Sequence, residues 1–501
     1  MAGKVKTQRE VNGLFELTES ARENLKDNQY YNEDLAPTKL NERTWSTYHI
    51  AALWIGMAVC IPTYMMASSL MAAGLSWGQA IINIALGNLI VLVPMQLNSH
   101  AGTKYGIPYP VFARLSFGVK GAHIASIARA IIAAGWFGIQ CWIGGGAINA
   151  VIGVMSPAWA AWAGGIWISF FLFWAANVWI AYKGAEAIKF MEAWGAPILF
   201  VLSVGLMVWA VAGVTAAGKG IGDILSAKAT YAPGKFWSIF LPGLTANIAF
   251  WSTLALNIPD FSRYAKTQKD QFMGQLLGLP TTMAAFAFVG VFVTGATGIM
   301  YGEFIWDPVV VISKIGSPVA AILGAVGIIV ATLTTNIAAN VVAPANGISN
   351  LSPKKISYKM GTLITGVAGV AIMPWKLLET AGAYLFGWLG TYGLFLGPLA
   401  GIYVADYYIY RKKVLDLDDL FRGSEGRYWY GNGYNMKAVW TWVISAILPL
   451  LGKFVPSLGF FAENGWMIGF LIALVVYPVL MKNENTSLVT ETESKQITMG
   501  A

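Results

Sequence analysis

The chain has 501 residues, 56% of them hydrophobic and 12% charged, with a formal net charge of +8. A soluble domain carries about 25% charged residues, so this balance excludes an ordinary globular enzyme and implies long apolar runs from which charge is expelled. Cys60 and Cys141 both fall inside such runs, and His49, His100 and His123 have no ligand spacing, so neither a disulfide framework nor a metal centre is indicated.

Taken in order, the chain begins with a polar region, 1–45, that has no early apolar core, so a cleavable signal peptide is not expected. A spanning helix needs roughly 20 mostly apolar residues. Twelve segments meet that: 48–73, 77–98, 121–154, 161–182, 189–214, 236–257, 274–300, 317–348, 358–378, 382–408, 437–457 and 462–481. With the N-terminus inside and every segment crossing, 27 of the 33 Lys and Arg fall on the inner side. That asymmetry is the positive-inside signal of a cytoplasmic-membrane protein with both termini cytoplasmic. It also disposes of a nucleic-acid partner, because the basic excess is spread over short loops. The layout that follows is a cytoplasmic tail (1–45), a ten-helix transport core (46–408), a cytoplasmic loop (409–436), two additional helices (437–481) and a cytoplasmic C-terminal tail (482–501).

The first segment is interrupted by Ile61-Pro62-Thr63, and the sixth carries Pro242-Gly243 near its start and a polar centre of Thr245, Asn247, Ser252 and Thr253. Any one kink is compatible with packing. Two discontinuous helices five apart match the inverted repeat of many secondary transporters, in which the first helix of each repeat breaks at the binding site. The expected fold is therefore all-α and polytopic: a five-plus-five inverted repeat with helices 1 and 6 broken, plus two C-terminal helices.

In the third segment Trp136 and Gln140 stand at i and i+4 and share a face. A buried amide beside a large aromatic suits a planar ligand with hydrogen-bonding edges, but Gln140 serves equally well as glue to another helix. In the sixth, Trp251 lies within the apolar run rather than at the interface where tryptophans gather. In the eighth, Thr334, Thr335, Asn336 and Asn340 offer neutral oxygens, a set that suits a monovalent cation better than calcium. Helix packing with back-bonded Thr is the commoner meaning of such a Thr pair. Arg129, Glu192 and Asp406 fall close to helix ends, where snorkelling keeps them solvated. No acidic residue stands plainly at mid-membrane, which argues against a carboxylate proton carrier or an acidic channel ring. No nucleophile motif or phosphate loop supports an enzyme.

Together these clusters resemble the nucleobase–cation symporter family one, the permeases for cytosine, purines, uracil, thiamine and allantoin. The resemblance runs from Asn32 to Lys482. It is carried by Asn32-Glu33-Asp34-Leu35-Ala36-Pro37, Arg43-Thr44-Trp45, the stretch from His100 to Pro108, Trp136 to Trp142, Asn257-Ile258-Pro259-Asp260-Phe261, Thr335 to Asn340, and Gly397-Pro398-Leu399-Ala400-Gly401. In the family's bacterial hydantoin permease two tryptophans hold the planar ring while Gln and Asn bond its amide edge. The resemblance gives those roles to Trp136, Trp251, Gln140 and Asn340. Phe250 and Cys60 stand where that permease has a glycine and a glutamine, so the pocket is reshaped and hydantoin itself does not carry over. The sodium site it implies comprises Gly56, Val59, Ala331, Thr334 and Thr335, the first three acting through carbonyls.

The expectation is thus a symporter importing a small planar heterocycle of the uracil, hydantoin or allantoin class. Sodium is the coupling ion, and no other cofactor and no obligate protein partner is implied. A proton-coupled permease of the same fold is the nearest alternative, and a channel or membrane sensor the alternative of another class.

Overall fold

The computed structural model describes residues 7–31, 33–183, 185–349, 351–352 and 355–484. Lys4, Lys6, Asn32, Lys354, Lys495 and the side chains of Asp34, Lys189 and Glu192 lie outside the described residues.

A helix occupies each of the twelve predicted segments. Among the described residues seven helices are long and apolar enough to cross a membrane, or up to nine if each of two sharply bent pairs is one span. Shorter helices fill the sixth (Phe236–Phe250), ninth (Tyr358–Ala371) and twelfth (Gly465–Met481) positions. The second span runs Trp77–Tyr105, well past the predicted limit at 98. Its last two turns are polar but buried against the residues that follow the sixth span. There the Thr103 hydroxyl donates to Ser262 O (2.9 Å) and the Ser262 hydroxyl to Ser99 O (3.0 Å). An apolar window cannot see a helix end that is buried in protein rather than in lipid.

The packing follows an inverted repeat. Both halves of the first span lie on the seventh (Gln268–Tyr301), and the sixth lies on the second. The third (Ala122–Met155) and eighth (Pro318–Asn340) spans, which hold equivalent places in the two repeats, pack on each other. The tenth span (Ala383–Tyr410), π-helical at both ends, lies against the twelfth.

Both expected discontinuities are present, one of them displaced. The first span consists of Thr47–Ala58 and Ile61–Ala72, bent by 59°. Val59 (ψ 81°) and Cys60 (φ −146°, ψ 158°) leave the helix, and Pro62, which has no N–H to donate, sits in the first turn of the second half. In the sixth, Pro242-Gly243 does not break the helix. Both lie inside Phe236–Phe250, and the chain breaks instead at Trp251 (φ −99°, ψ 6°) before Ser252–Asn257. Gly243 is there for close approach, since a Cβ would stand 2.7 Å from Leu70 Cδ2. Asn247 Nδ2 donates to Gly243 O (3.0 Å) and to Asn83 Oδ1 (2.7 Å), so polar side chains hold the Pro-Gly turn helical. At Trp251 the Ala249 carbonyl turns to the hydroxyls of Tyr392 (2.8 Å) and Ser252 (2.6 Å).

The polar N-terminal region contains a hairpin that the all-α reading missed. β1 (Gln8–Val11) pairs antiparallel with β2 (Leu14–Leu17) around Asn12-Gly13, both at positive φ (53° and 77°). Asn-Gly is a strong local hairpin signal. Arg43 locks this region to the end of the second span, donating to the carbonyls of Phe15 (2.5 Å), Thr38 (3.0 Å) and Thr103 (2.9 Å). Gly106 (φ 69°) ends that helix, and a Cβ there would stand 2.4 Å from the Arg43 guanidinium. Trp45 then exchanges backbone bonds with Tyr264 O (2.9 Å) and Lys266 N (2.8 Å), tying the entrance of the first span to the exit of the sixth.

Two of the charges expected to snorkel do not. Arg129 is 5% exposed and Asp406 is 0% exposed. Asp406 is held by Arg411 Nε (3.0 and 3.1 Å), the Ser116 hydroxyl (3.0 Å) and the Tyr477 hydroxyl (2.8 Å). A charge with an internal partner has no need of the interface. Asp406→Asn removes the carboxylate charge from a fully buried pair, and breaking such a pair costs about 3–5 kcal/mol. The variant in detergent is expected to melt well below the parent; an unchanged melting temperature would contradict this account of the pair.

Candidate functional site

The breaks leave backbone groups and side chains facing a common space. A cavity with about 50 Å³ open to water lies where the first, third, sixth and eighth spans meet. The first span contributes Met57, Cys60 and Pro62. The third gives Trp136 and Gln140, the sixth Phe250, Trp251, Thr253 and Leu254, and the eighth Thr335, Ala339 and Asn340. All six residues expected from the sequence to meet a substrate therefore line one cavity. Met57, Leu254 and Ala339 were missed, because apolar and small residues give no signal against an apolar background, and Thr253 was read only as part of the polar centre of the sixth segment.

Trp136 is the aromatic centre of this region. Its ring meets Phe250 edge-on at 5.1 Å and lies 6.2–6.5 Å from Tyr384, Trp388 and Tyr392 of the tenth span. The i, i+4, i+8 spacing of those three was the signal that could have found them. Trp251 meets Phe250 at 5.0 Å and Trp54 at 5.2 Å. The Tyr384 hydroxyl donates to Pro62 O (3.1 Å), joining the tenth span to the broken first.

The polar groups divide into satisfied and unsatisfied. Asn336 is helix glue: Nδ2 donates to Phe137 O (3.2 Å) and Asn177 Oδ1 (3.2 Å). Its oxygen accepts from Asn340 Nδ2 (3.0 Å), which fixes the Asn340 amide at the cavity wall. Gln140 is different. Its Oε1 is buried with no partner among the described residues, as is the indole Nε1 of Trp251. A buried orphan polar atom costs about 1–3 kcal/mol, so an acceptor and a donor left open on one cavity call for an explanation.

The residues expected at the cation site lie on two neighbouring elements. Gly56 is exposed in the last turn of the first half-helix, and Val59 is half-buried at its end. Cys60 N–H donates to Ala58 O (3.0 Å) instead of to Gly56, and Thr63 N–H donates to Cys60 O (3.1 Å) instead of to Val59. The Gly56 and Val59 carbonyls thus lack the helical donor four residues on. Ala331 and Thr334 are buried, Thr335 is half-buried, and the eighth span touches both halves of the first. The Thr334 hydroxyl donates to Ala331 O (2.9 Å), leaving its oxygen lone pairs as acceptors. These oxygens are all neutral.

A family model described as permease for cytosine/purines, uracil, thiamine, allantoin matches residues 37–474. The chain belongs to that permease family. Among its relatives in this family, the purine-uracil permease NCS1 of Arabidopsis thaliana is 41% identical over 469 residues, covering 90% of this chain and 77% of the relative. The allantoin permease of Bacillus subtilis is 40% identical over 482 residues, covering 93% and 96%. An inward-facing structure of Mhp1 superposes with a TM-score of 0.77 at 25% identity, covering 94% of this permease and 98% of Mhp1.

Proposed function

We propose that this permease is a secondary symporter of the cytoplasmic membrane that imports a planar cyclic amide or imide of the uracil, hydantoin or allantoin class with sodium. The observation that carries this reading is the pair of orphaned buried groups, Gln140 Oε1 and Trp251 Nε1, on one cavity with Trp136. A cyclic imide presents N–H and C=O side by side on a flat ring. Its N–H satisfies Gln140, its carbonyl accepts from the indole, and its face stacks on an aromatic wall. The relatives' names, purine-uracil permease and allantoin permease, agree with that chemistry.

Coupling follows from the first span. The break that frees the Gly56 and Val59 carbonyls also carries Cys60 and Pro62 into the cavity wall. Sodium on those carbonyls, with Ala331, Thr334 and Thr335, and the ring in the cavity then favour the same arrangement of that span. Each ligand raises the affinity for the other. Transport alternates access by rocking one bundle against the rest about this midplane site. The charge bias of the loops supports cytoplasmic termini.

Competition with labelled uracil on purified protein tests the ligand class. Uracil, hydantoin or allantoin is expected to displace the label saturably, while glucose and alanine do not. Failure of every cyclic amide would refute the reading. Saturable accumulation against a gradient separates the carrier from a channel.

A further inference from the structure

A second cleft, remote from the transport cavity, opens under the ends of the second and tenth spans and encloses about 480 Å³. His100 and Lys104 line it from the last turns of the second span, Lys412 and Lys413 from the chain just after the tenth, and Glu10 from the hairpin. Lys412 (φ 53°) and Lys413 (φ 64°) are consecutive left-handed residues, a conformation that side chains with a Cβ rarely adopt. The surroundings enforce it. Lys413 N–H donates to Tyr407 O (2.7 Å), and Lys413 O accepts from Lys104 Nζ (3.0 Å) and the Tyr105 hydroxyl (2.9 Å). Tyr407 and Tyr105 are themselves buried, so the turn is anchored in the fold. Both lysine side chains are exposed, and among the described residues none of Lys104, Lys412 and Lys413 forms an ion pair.

We propose that this cleft binds a phosphate-bearing anion, and that its source is the headgroup of an anionic phospholipid. Three ammonium groups around one cleft, against a single carboxylate from Glu10, make a site whose charge is uncompensated by the protein. The depth selects the lipid. The tenth span ends at Tyr410, so the two lysines follow directly on a helix long and apolar enough to cross the membrane, the position from which juxtamembrane lysines meet anionic headgroups. A phosphate there touches the second span, the chain after the tenth and the hairpin together, parts already tied to one another by Lys104 and Tyr105 on Lys413 O and by Gln8 on the backbone of Leu415 and Leu417. The cleft shares no lining residue with the transport cavity.

Full-length protein in neutral mixed micelles, titrated with phosphatidylglycerol, phosphatidylcholine or soluble glycerol phosphate, tests this by thermal melting and by retained lipid in native mass spectrometry. Phosphatidylglycerol is expected to raise the melting temperature and to be retained, and phosphatidylcholine is not. Lys412→Asn/Lys413→Asn keeps residues that tolerate the left-handed turn. It is expected to retain phosphatidylglycerol about 25-fold more weakly, with uracil-class ligand binding unchanged. Glu10→Gln, which removes only the opposing charge, is expected to strengthen retention. An equal response to glycerol phosphate would keep the phosphate site and overturn the lipid source. No response to either anion, or retention undiminished in the double variant, would overturn the site.

Discussion

Gln140→Ala is expected to weaken binding of a uracil-class ring by about 5- to 150-fold, since loss of a buried hydrogen bond that leaves its partner unsatisfied costs about 1–3 kcal/mol. The parent protein holds Gln140 Oε1 buried and open, so the deletion removes an orphan acceptor from the unliganded protein and stability is expected to hold or improve. Trp136→Ala is expected to abolish tight binding by removing the aromatic wall. Its stability will fall, because the ring packs against Phe250 and the tenth span. Gln140 is therefore the cleaner probe. Isothermal titration beside a melting curve separates the two effects. Normal binding in both variants would refute the site.

The second large effect concerns ligand size. Phe250 lies edge-on to both cavity tryptophans, 5.1 Å from Trp136 and 5.0 Å from Trp251, and is 6% exposed. Its ring takes up cavity volume between the two tryptophans. The parent is expected to exclude 5-benzylhydantoin. Phe250→Ala is expected to admit it with a gain of at least about tenfold, because removing a steric overlap of this kind restores one to a few kcal/mol. The loss of a buried Phe destabilises by up to about 3–5 kcal/mol, so the comparison requires that the variant still bind uracil. Benzylhydantoin bound by the parent, or excluded from a folded variant, would remove Phe250 from the specificity account.

Much of this was legible in the residues. Hydropathy located the helices, Ile61-Pro62 marked the first break, and the polar clusters of the third, sixth and eighth spans converge on one cavity. What was not legible depends on tertiary partners. The break at Trp251 is accompanied by a tyrosine hydroxyl 143 residues away taking the Ala249 carbonyl. Pro242-Gly243 looked like the break and is not, because Asn83 and Asn247 support that turn. Asp406 looked solvated because its neighbours in sequence could not reveal Ser116 and Tyr477. The distinction between Asn336 as glue and Gln140 as an open acceptor exists only in three dimensions.

The central claim is that sodium and a flat heterocycle share the broken first span. The most direct test is accumulation of labelled uracil or allantoin at fixed pH with sodium replaced by choline. The claim predicts that uptake collapses in choline and recovers with added sodium, in parallel with a sodium-dependent rise in binding affinity. Undiminished uptake in choline would contradict sodium coupling and leave protons as the driving ion.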